Sequence, residues 1–156
     1  MRIATLGFVL LGAVVCAGSA QAGRAGAVTY DADLAKRLGA DERGMKMYVL
    51  VILKTGPKAD FPKDERAKIF AGHMDNLKQL AREGKLVIAG PFEDNAQHYE
   101  GIFIFNVAKI ADAAALLATD PAVAAGALAY DAFGWYGSAA LQEVTAIHGR
   151  IEKPGH

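Results

Sequence analysis

The order of apolar segments between residues 47 and 135 constrains the fold of this chain more than any other feature. A β-branched apolar run, MYVLVIL at 47–53, is typical of a strand that is buried on at least one face. Apolar residues then recur at spacings of three and four along 67–81, with charged residues between them. This spacing predicts an amphipathic helix, which we expect to begin at the N-cap Asp64 and to end before Gly84.

The segments that follow alternate in the same way. Phe103 and Phe105 would share one face of a strand, because successive side chains point to opposite faces. Asp120 and Pro121 end the second helix, since proline disfavours helical backbone in the residue before it. The pattern predicts strands at 86–89, 101–107 and 127–135, and a helix at 110–118.

The resulting order β-α-β-β-α-β predicts an α+β, ferredoxin-like fold. Its four-stranded antiparallel sheet would carry both helices on one face. The opposite face also holds apolar and aromatic residues, so we expect a second copy to cover it, giving a homodimer of the dimeric α+β type. Outside this order, Asp31 is a candidate cap for a short helix at 31–38, and 138–148 is compatible with either a final strand or a short helix.

The first 22 residues have the order of a secretory signal peptide. Arg2 supplies a positive charge, 3–15 is almost unbroken apolar sequence, and the triplet AQA at 20–22 is a small-residue cleavage site. The apolar run is shorter than the roughly 20 residues that span a bilayer. We therefore expect cleavage after Ala22 and a periplasmic or secreted protein without a stable membrane anchor. An uncleaved N-terminal anchor is the alternative.

Cleavage would change the inventory of reactive groups. Removing 22 of the 156 residues leaves 134, about one domain, without Cys16, the only cysteine. Thiol and cysteine-ligated metal chemistry are then excluded, and we expect no cofactor and no metal. The 16 basic and 17 acidic residues that remain form no basic run, which argues against nucleic-acid binding. We divide the remainder into an N-terminal extension at 23–44, one domain at 45–148 and a tail at 149–156.

His73 and Asp120 are the candidate catalytic residues. His73 lies three residues after Phe70 and four before Leu77, so it would sit on the apolar helix face, toward the sheet. In this topology the end of the second helix can approach the middle of the first. Asp120 could then orient the imidazole and leave its other nitrogen free for acid–base chemistry. A structural core histidine and a plain turn aspartate before Pro121 are the alternatives that remain open.

Four further residues are candidates for a substrate-binding surface: Pro91, Phe92, Trp135 and Arg66. The first two close a strand beside the helix, the tryptophan closes the last strand, and the arginine could orient an anionic substrate. Each also has a plain structural interpretation, as a turn, a buried aromatic or a solvated charge.

Four segments carry a resemblance to a known family: MYVLVIL at 47–53, HMDNL at 73–77, GKLVIAGPF at 84–92 and TDPAVAAG at 119–126. In this order, over about residues 45–137, the chain resembles the YCII-related proteins. The resemblance implies a ferredoxin-like fold, a dimer and an active site built on a His–Asp pair. It implies no single reaction, since only a few relatives act as lyases on chlorinated aromatic substrates.

Three hypotheses of function follow. The first is a cofactor-independent enzyme, lyase-like or hydrolase-like, that acts on a small molecule through His73 and Asp120. The second is a non-catalytic periplasmic module that binds a small-molecule ligand in the same place. The third is an interaction protein whose exposed sheet face and N-terminal extension serve assembly.

Overall fold

Strand β1 (Met45–Thr55) lies at the centre of the sheet. It pairs antiparallel with β3 (Tyr99–Phe105) on one side and β4 (Leu128–Ser138) on the other, and β2 (Leu86–Pro91) pairs antiparallel with β3. The strand order is therefore β2-β3-β1-β4, with β2 and β4 at the edges. This is the ferredoxin-like arrangement that the sequence predicts.

The structure is a computed structural model and describes residues 29–58 and 60–153. The predicted signal peptide at 1–22 lies outside the described residues. The described helices are α1 (Ala32–Arg37), α2 (Lys63–Arg82), α3 (Ile110–Leu117), α4 (Pro121–Ala124), a 3-10 helix (Ala139–Glu143) and α5 (Val144–Ile151). Within these residues no helix is both long and apolar enough to cross a membrane.

Local signals explain where the helices begin and end. Asp31 caps α1 as predicted, because its side chain accepts a hydrogen bond from the backbone N–H of Leu34 at 2.9 Å. The predicted cap of α2 is wrong: the helix begins after Pro62, which makes no side-chain capping hydrogen bond. Asp64 lies in the first turn instead, where its charge interacts favourably with the helix dipole. Gly84 follows α2 with a φ of 67°, the left-handed conformation that terminates many helices.

Helices α2, α3 and α4 cover one side of the sheet, which we call the helix face. Side chains of β1 and β3 on this face are almost sealed from solvent, and Val49, Val51, Phe103 and Phe105 are each at most 2% exposed. They form one cluster with helix residues such as Leu80, Leu117 and Ala122. Burial of such a side chain stabilises the fold by about 1.5–3 kcal/mol, so this cluster forms the main core.

The opposite side of the sheet, which we call the open face, is covered at one end only. Tyr48, Val87 and Ile104 are buried there and Leu141 of the 3-10 helix packs against them. The segment that the sequence left undecided is therefore helical, and it supplies part of the cover that a second copy was expected to provide. Farther along this face Phe133 is 50% exposed.

Residues 31–44 are fastened to one end of the sheet and belong to the same compact unit. Arg37 forms an ion pair with Glu143 at 2.8 Å, and the hydroxyl of Tyr136 in β4 donates a hydrogen bond to Asp41. That hydrogen bond holds the pKa of Asp41 below its ordinary value and raises the pKa of Tyr136. These two contacts join the segment at 31–44 to β4 and to the 3-10 helix that follows it.

Candidate functional site

Helix α2 holds His73 against the sheet, on the apolar side of the helix as predicted. Its imidazole stacks on the ring of Phe103 in β3, with ring centroids 6.1 Å apart. Phe70, one turn earlier on α2, meets the imidazole edge-on at 5.8 Å. His73 is 8% exposed, so the two aromatic rings enclose most of it.

The carboxylate of Asp120 completes a buried pair with this imidazole. Nδ1 of His73 lies 2.7 Å from Oδ2 of Asp120, which is 1% exposed. The other oxygen, Oδ1, accepts a hydrogen bond from the backbone N–H of Ala122 at 2.9 Å and so caps α4. Helix α4 was not predicted from the sequence, in which Asp120 and Pro121 only marked the end of the preceding helix. Pro121 occupies the first turn of α4, where its missing N–H costs nothing.

This arrangement decides which nitrogen of the imidazole is available. An ionised carboxylate only accepts hydrogen bonds, so the proton between His73 and Asp120 belongs to Nδ1. Nε2 makes no hydrogen bond to any described residue. Among the described residues, Asn76 Oδ1 is the one side-chain N or O atom that is both sealed from solvent and without a hydrogen-bond partner. Nε2 also lacks a partner, so it must retain some contact with solvent. Nε2 can therefore exchange a proton with a bound molecule.

Asn76 ties the turn between α3 and α4 to α2. Its amide donates hydrogen bonds to the carbonyl oxygen and the hydroxyl of Thr119, at 3.2 and 2.9 Å. Because Thr119 directly precedes Asp120, these bonds hold the carboxylate opposite the imidazole. Sequence reasoning missed Asn76, although its spacing of three residues from His73 places both on one side of a helix.

Arg66 reaches the neighbourhood of the pair through an aromatic contact. Its guanidinium lies 4.7 Å from the centroid of the Phe70 ring, and that ring touches His73. Pro91 ends β2 and is exposed. Phe92 follows it, 43% exposed, with its ring 6.4 Å from that of Tyr99 rather than beside the imidazole.

Trp135 lies on the other side of the sheet. It is paired in register with Tyr48 on the open face, with ring centroids 6.0 Å apart, whereas His73 stacks on Phe103 on the helix face. The structure therefore does not bring Trp135 to the His–Asp pair within one chain.

His73 and Asp120 line neither of two concavities that lie beside α2 in the described part of the chain. One, of about 360 Å³, lies beside Asn76, and the other is a groove of about 630 Å³ between α2, β2 and α5. The pair meets solvent mainly through His73, whose side chain is 10% exposed, against 2% for that of Asp120. Across residues 29–58 and 60–153, no three His, Cys, Asp or Glu side chains are grouped so as to hold a metal ion.

The fold and the His–Asp pair together define the class of protein. It is a ferredoxin-like α+β protein whose His–Asp pair is buried between the long helix α2 and the turn that follows α3. The model of the YCII-related domain matches residues 47–135, more than half of the chain, and the chain belongs to that family. The resemblance carried by the four sequence segments is thereby confirmed.

A search of solved structures gives a more distant likeness. The 5-chloro-2-hydroxyhydroquinone dehydrochlorinase of Burkholderia phenoliruptrix AC1100, in complex with 2,5-dihydroxybenzoquinone, is 20% identical, with a TM-score of 0.43 over 56% of this chain and 92% of that one. At this identity and TM-score the likeness carries no information on activity. No curated protein matches the chain.

Proposed function

We propose that this protein is a cofactor-independent acid–base enzyme, lyase-like or hydrolase-like, that acts on a small molecule. His73 is the general acid and base, and Asp120 positions it. One observation supports the proposal: the Nδ1–Oδ2 contact of 2.7 Å fixes the imidazole while Nε2 has no partner among the described residues.

In the proposed reaction, Nε2 of His73 takes a proton from the substrate and later returns it to the product or the leaving group. Asp120, both of whose oxygens accept hydrogen bonds, orients the ring and stabilises the imidazolium that forms between these steps. Arg66, Pro91 and Phe92 are the proposed substrate contacts within the chain. Trp135 lies on the open face and is not one of these contacts.

A turnover screen with matched histidine variants tests this proposal. Small molecules are incubated with the wild-type protein and consumption is followed by NMR, and any substrate found is then given to His73→Gln. We expect a rate loss of about 10²–10⁴, the usual contribution of general acid–base catalysis. His98→Gln, at an exposed loop position, is the control and should keep its rate. Unchanged turnover by His73→Gln would overturn the proposal.

The second candidate is a binding module without catalysis. It is favoured by the enclosure of the imidazole, since only 10% of its side chain is exposed and neither concavity beside α2 includes it. In that case a ligand found by thermal shift would be recovered chemically unchanged after prolonged incubation. Chemical conversion of the same ligand would favour the enzyme instead.

We also propose that the protein is an exported homodimer joined through the open face. Half-buried Leu50, Ile52 and Ile102 surround the exposed Phe133 there, and a patch of this kind is typical of an association surface. The proposed export rests on the signal-like order of residues 1–22. Mass spectrometry of the protein recovered from the periplasm should give a chain that begins at Gly23, and an intact N-terminus would contradict cleavage.

A further inference from the structure

The groove of about 630 Å³ runs along an edge of the sheet, apart from the His–Asp pair. It lies beside β2, one of the two edge strands, with α2 on one side and α5 on the other. The four consecutive residues 86–89 of β2 all line it. Because side chains alternate between the two faces of a strand, this groove follows the open edge of β2 rather than one face.

The lining of the groove is mainly apolar. Met74, Leu77 and Ala81 face it from α2, and Val144 faces it from α5. Met74 is 49% exposed and Val144 is 38% exposed, so large apolar side chains meet water inside a concave site. Its volume lies within the range of about 300–1,000 Å³ that is usual for small-molecule sites, which also have mostly apolar walls.

Two cations stand at the rim of the groove, where they also border the smaller concavity that contains Asp75. Lys78 and Arg82 are four residues apart on α2, so they lie on the same side of that helix. Neither forms an ion pair with any described residue. Across the groove, Glu152 lies 3.8 Å from the imidazole of His148 on its own helix. On the side of the groove itself, the residues of α2 contribute these two cations and no acidic side chain, so this rim complements an anion.

Gly149 adds an observation from α5. It lies inside the helix and lines the groove, and a Cβ placed on it would meet nothing within 4 Å. Glycine inside a helix is less stable than alanine by roughly 0.5–1 kcal/mol. No neighbouring atom of the protein requires glycine at this position, and glycine leaves this part of the groove lining without a side chain.

We propose that this groove binds an amphipathic organic anion, namely a free medium-chain fatty acid. Its alkyl chain would lie along β2 between Leu77 and Val144, and its carboxylate would reach Lys78 and Arg82. The apolar walls exclude a small polar anion as the main ligand, and the unpaired cations favour a charged head group over an alcohol. This site is independent of the function proposed for His73.

Calorimetric titration of the full chain with sodium decanoate, below its micelle concentration, tests this site. We expect saturable binding at one site per chain, at least tenfold weaker for the double variant Lys78→Glu, Arg82→Glu. Ala81→Phe should abolish binding by filling the groove. The matched controls are Lys68→Glu and Ala71→Phe, at exposed positions of α2 outside the groove, and both should bind as the wild type does. Circular dichroism verifies that each variant is folded.

Three results would overturn the proposal. The first is no saturable binding of decanoate by the wild-type protein. The second is equal affinity for the double charge variant and Lys68→Glu. The third is attachment to phosphatidylglycerol vesicles without binding of monomeric decanoate, which would make the cationic rim a membrane contact instead.

Discussion

The two sides of the sheet carry the same kinds of contact with different consequences. On the helix face, Asp120 pairs with His73 at 2.7 Å, and their side chains are 2% and 10% exposed. On the open face, Asp131 pairs with Lys54 at the same distance, but these side chains are 46% and 35% exposed. An exposed pair is screened by water and contributes little, whereas the loss of one member of an enclosed pair leaves the other buried without its partner.

The aromatic residues of the two faces also differ in their exposure to solvent. Phe103 is 2% exposed and touches both His73 and Phe105, whereas Phe133 is 50% exposed. The helix face is therefore the side that one chain completes by itself and the side where a fixed imidazole is found. The open face leaves Phe133 exposed to solvent, and it is the face through which we propose association with a second copy.

The largest expected effect compares two phenylalanines. Phe103→Ala should lower the free energy of unfolding by about 3–5 kcal/mol, because it leaves a cavity in the core. Phe133→Ala should lower it by less than about 1 kcal/mol in dilute protein, where the open face is solvated. Urea denaturation of both variants measures the difference. Equal losses would show that the two faces are equally covered in solution.

The next comparison is between two aspartates. Asp120→Ala should cost about 3 kcal/mol, because it leaves the imidazole of His73 and the N–H of Ala122 without their acceptor. Asp131→Ala should cost no more than about 1 kcal/mol, as expected for an exposed ion pair. Denaturation curves of the two variants measure both losses in the free energy of unfolding. A loss below about 1 kcal/mol for Asp120→Ala would mean that the buried pair is not needed for stability.

A third prediction concerns association through the open face. Phe133→Glu should raise the dissociation constant of the proposed homodimer at least tenfold, about 1.4 kcal/mol, because it places a charge in an apolar contact. Ile110→Glu is the matched control, since Ile110 is 48% exposed at the start of α3, on the helix side of the sheet. Analytical ultracentrifugation measures both. A wild-type protein that remains monomeric at high concentration would refute the dimer.

The smallest expected effect lies at the end of the sheet. Asp41 has a lowered pKa in the folded protein because Tyr136 donates a hydrogen bond to it. Its contribution to stability is therefore present above the unfolded pKa of about 3.9 and is lost as the pH falls through the lower folded value. Between pH 7 and pH 3, the melting temperature of Tyr136→Phe should therefore fall by less than that of the wild type. An identical loss would show that this bond does not set the acid response.

Much of the fold could be predicted from the sequence because it follows from the period of apolar residues. The strand at 47–53 and the helix over 67–81 are long and regular, and both are found, with small differences at their ends. The cap at Asp64 was wrong because a polar residue near a helix start does not show which backbone N–H it faces. The four-residue helix α4 is too short to produce a period.

The site could be predicted only in part. The apolar spacing around His73 placed it toward the sheet, and the topology allowed Asp120 to approach it. Asn76 was missed because its contacts with Thr119 join residues that are 43 positions apart. Trp135 could not be assigned to a face because the predicted strand at 127–135 alternates only loosely, so its register against Tyr48 was undetermined.

The direct test of the central claim is the ¹⁵N NMR spectrum of the His73 imidazole at a pH where the ring is neutral. In the wild type we expect a proton on Nδ1 and none on Nε2. In Asp120→Asn, the amide oxygen would still accept from Ala122, so its NH₂ would face Nδ1 and move the proton to Nε2. A wild-type ring that is protonated on Nε2, or one whose tautomer does not change in Asp120→Asn, would contradict the claim that Asp120 keeps Nε2 free for chemistry.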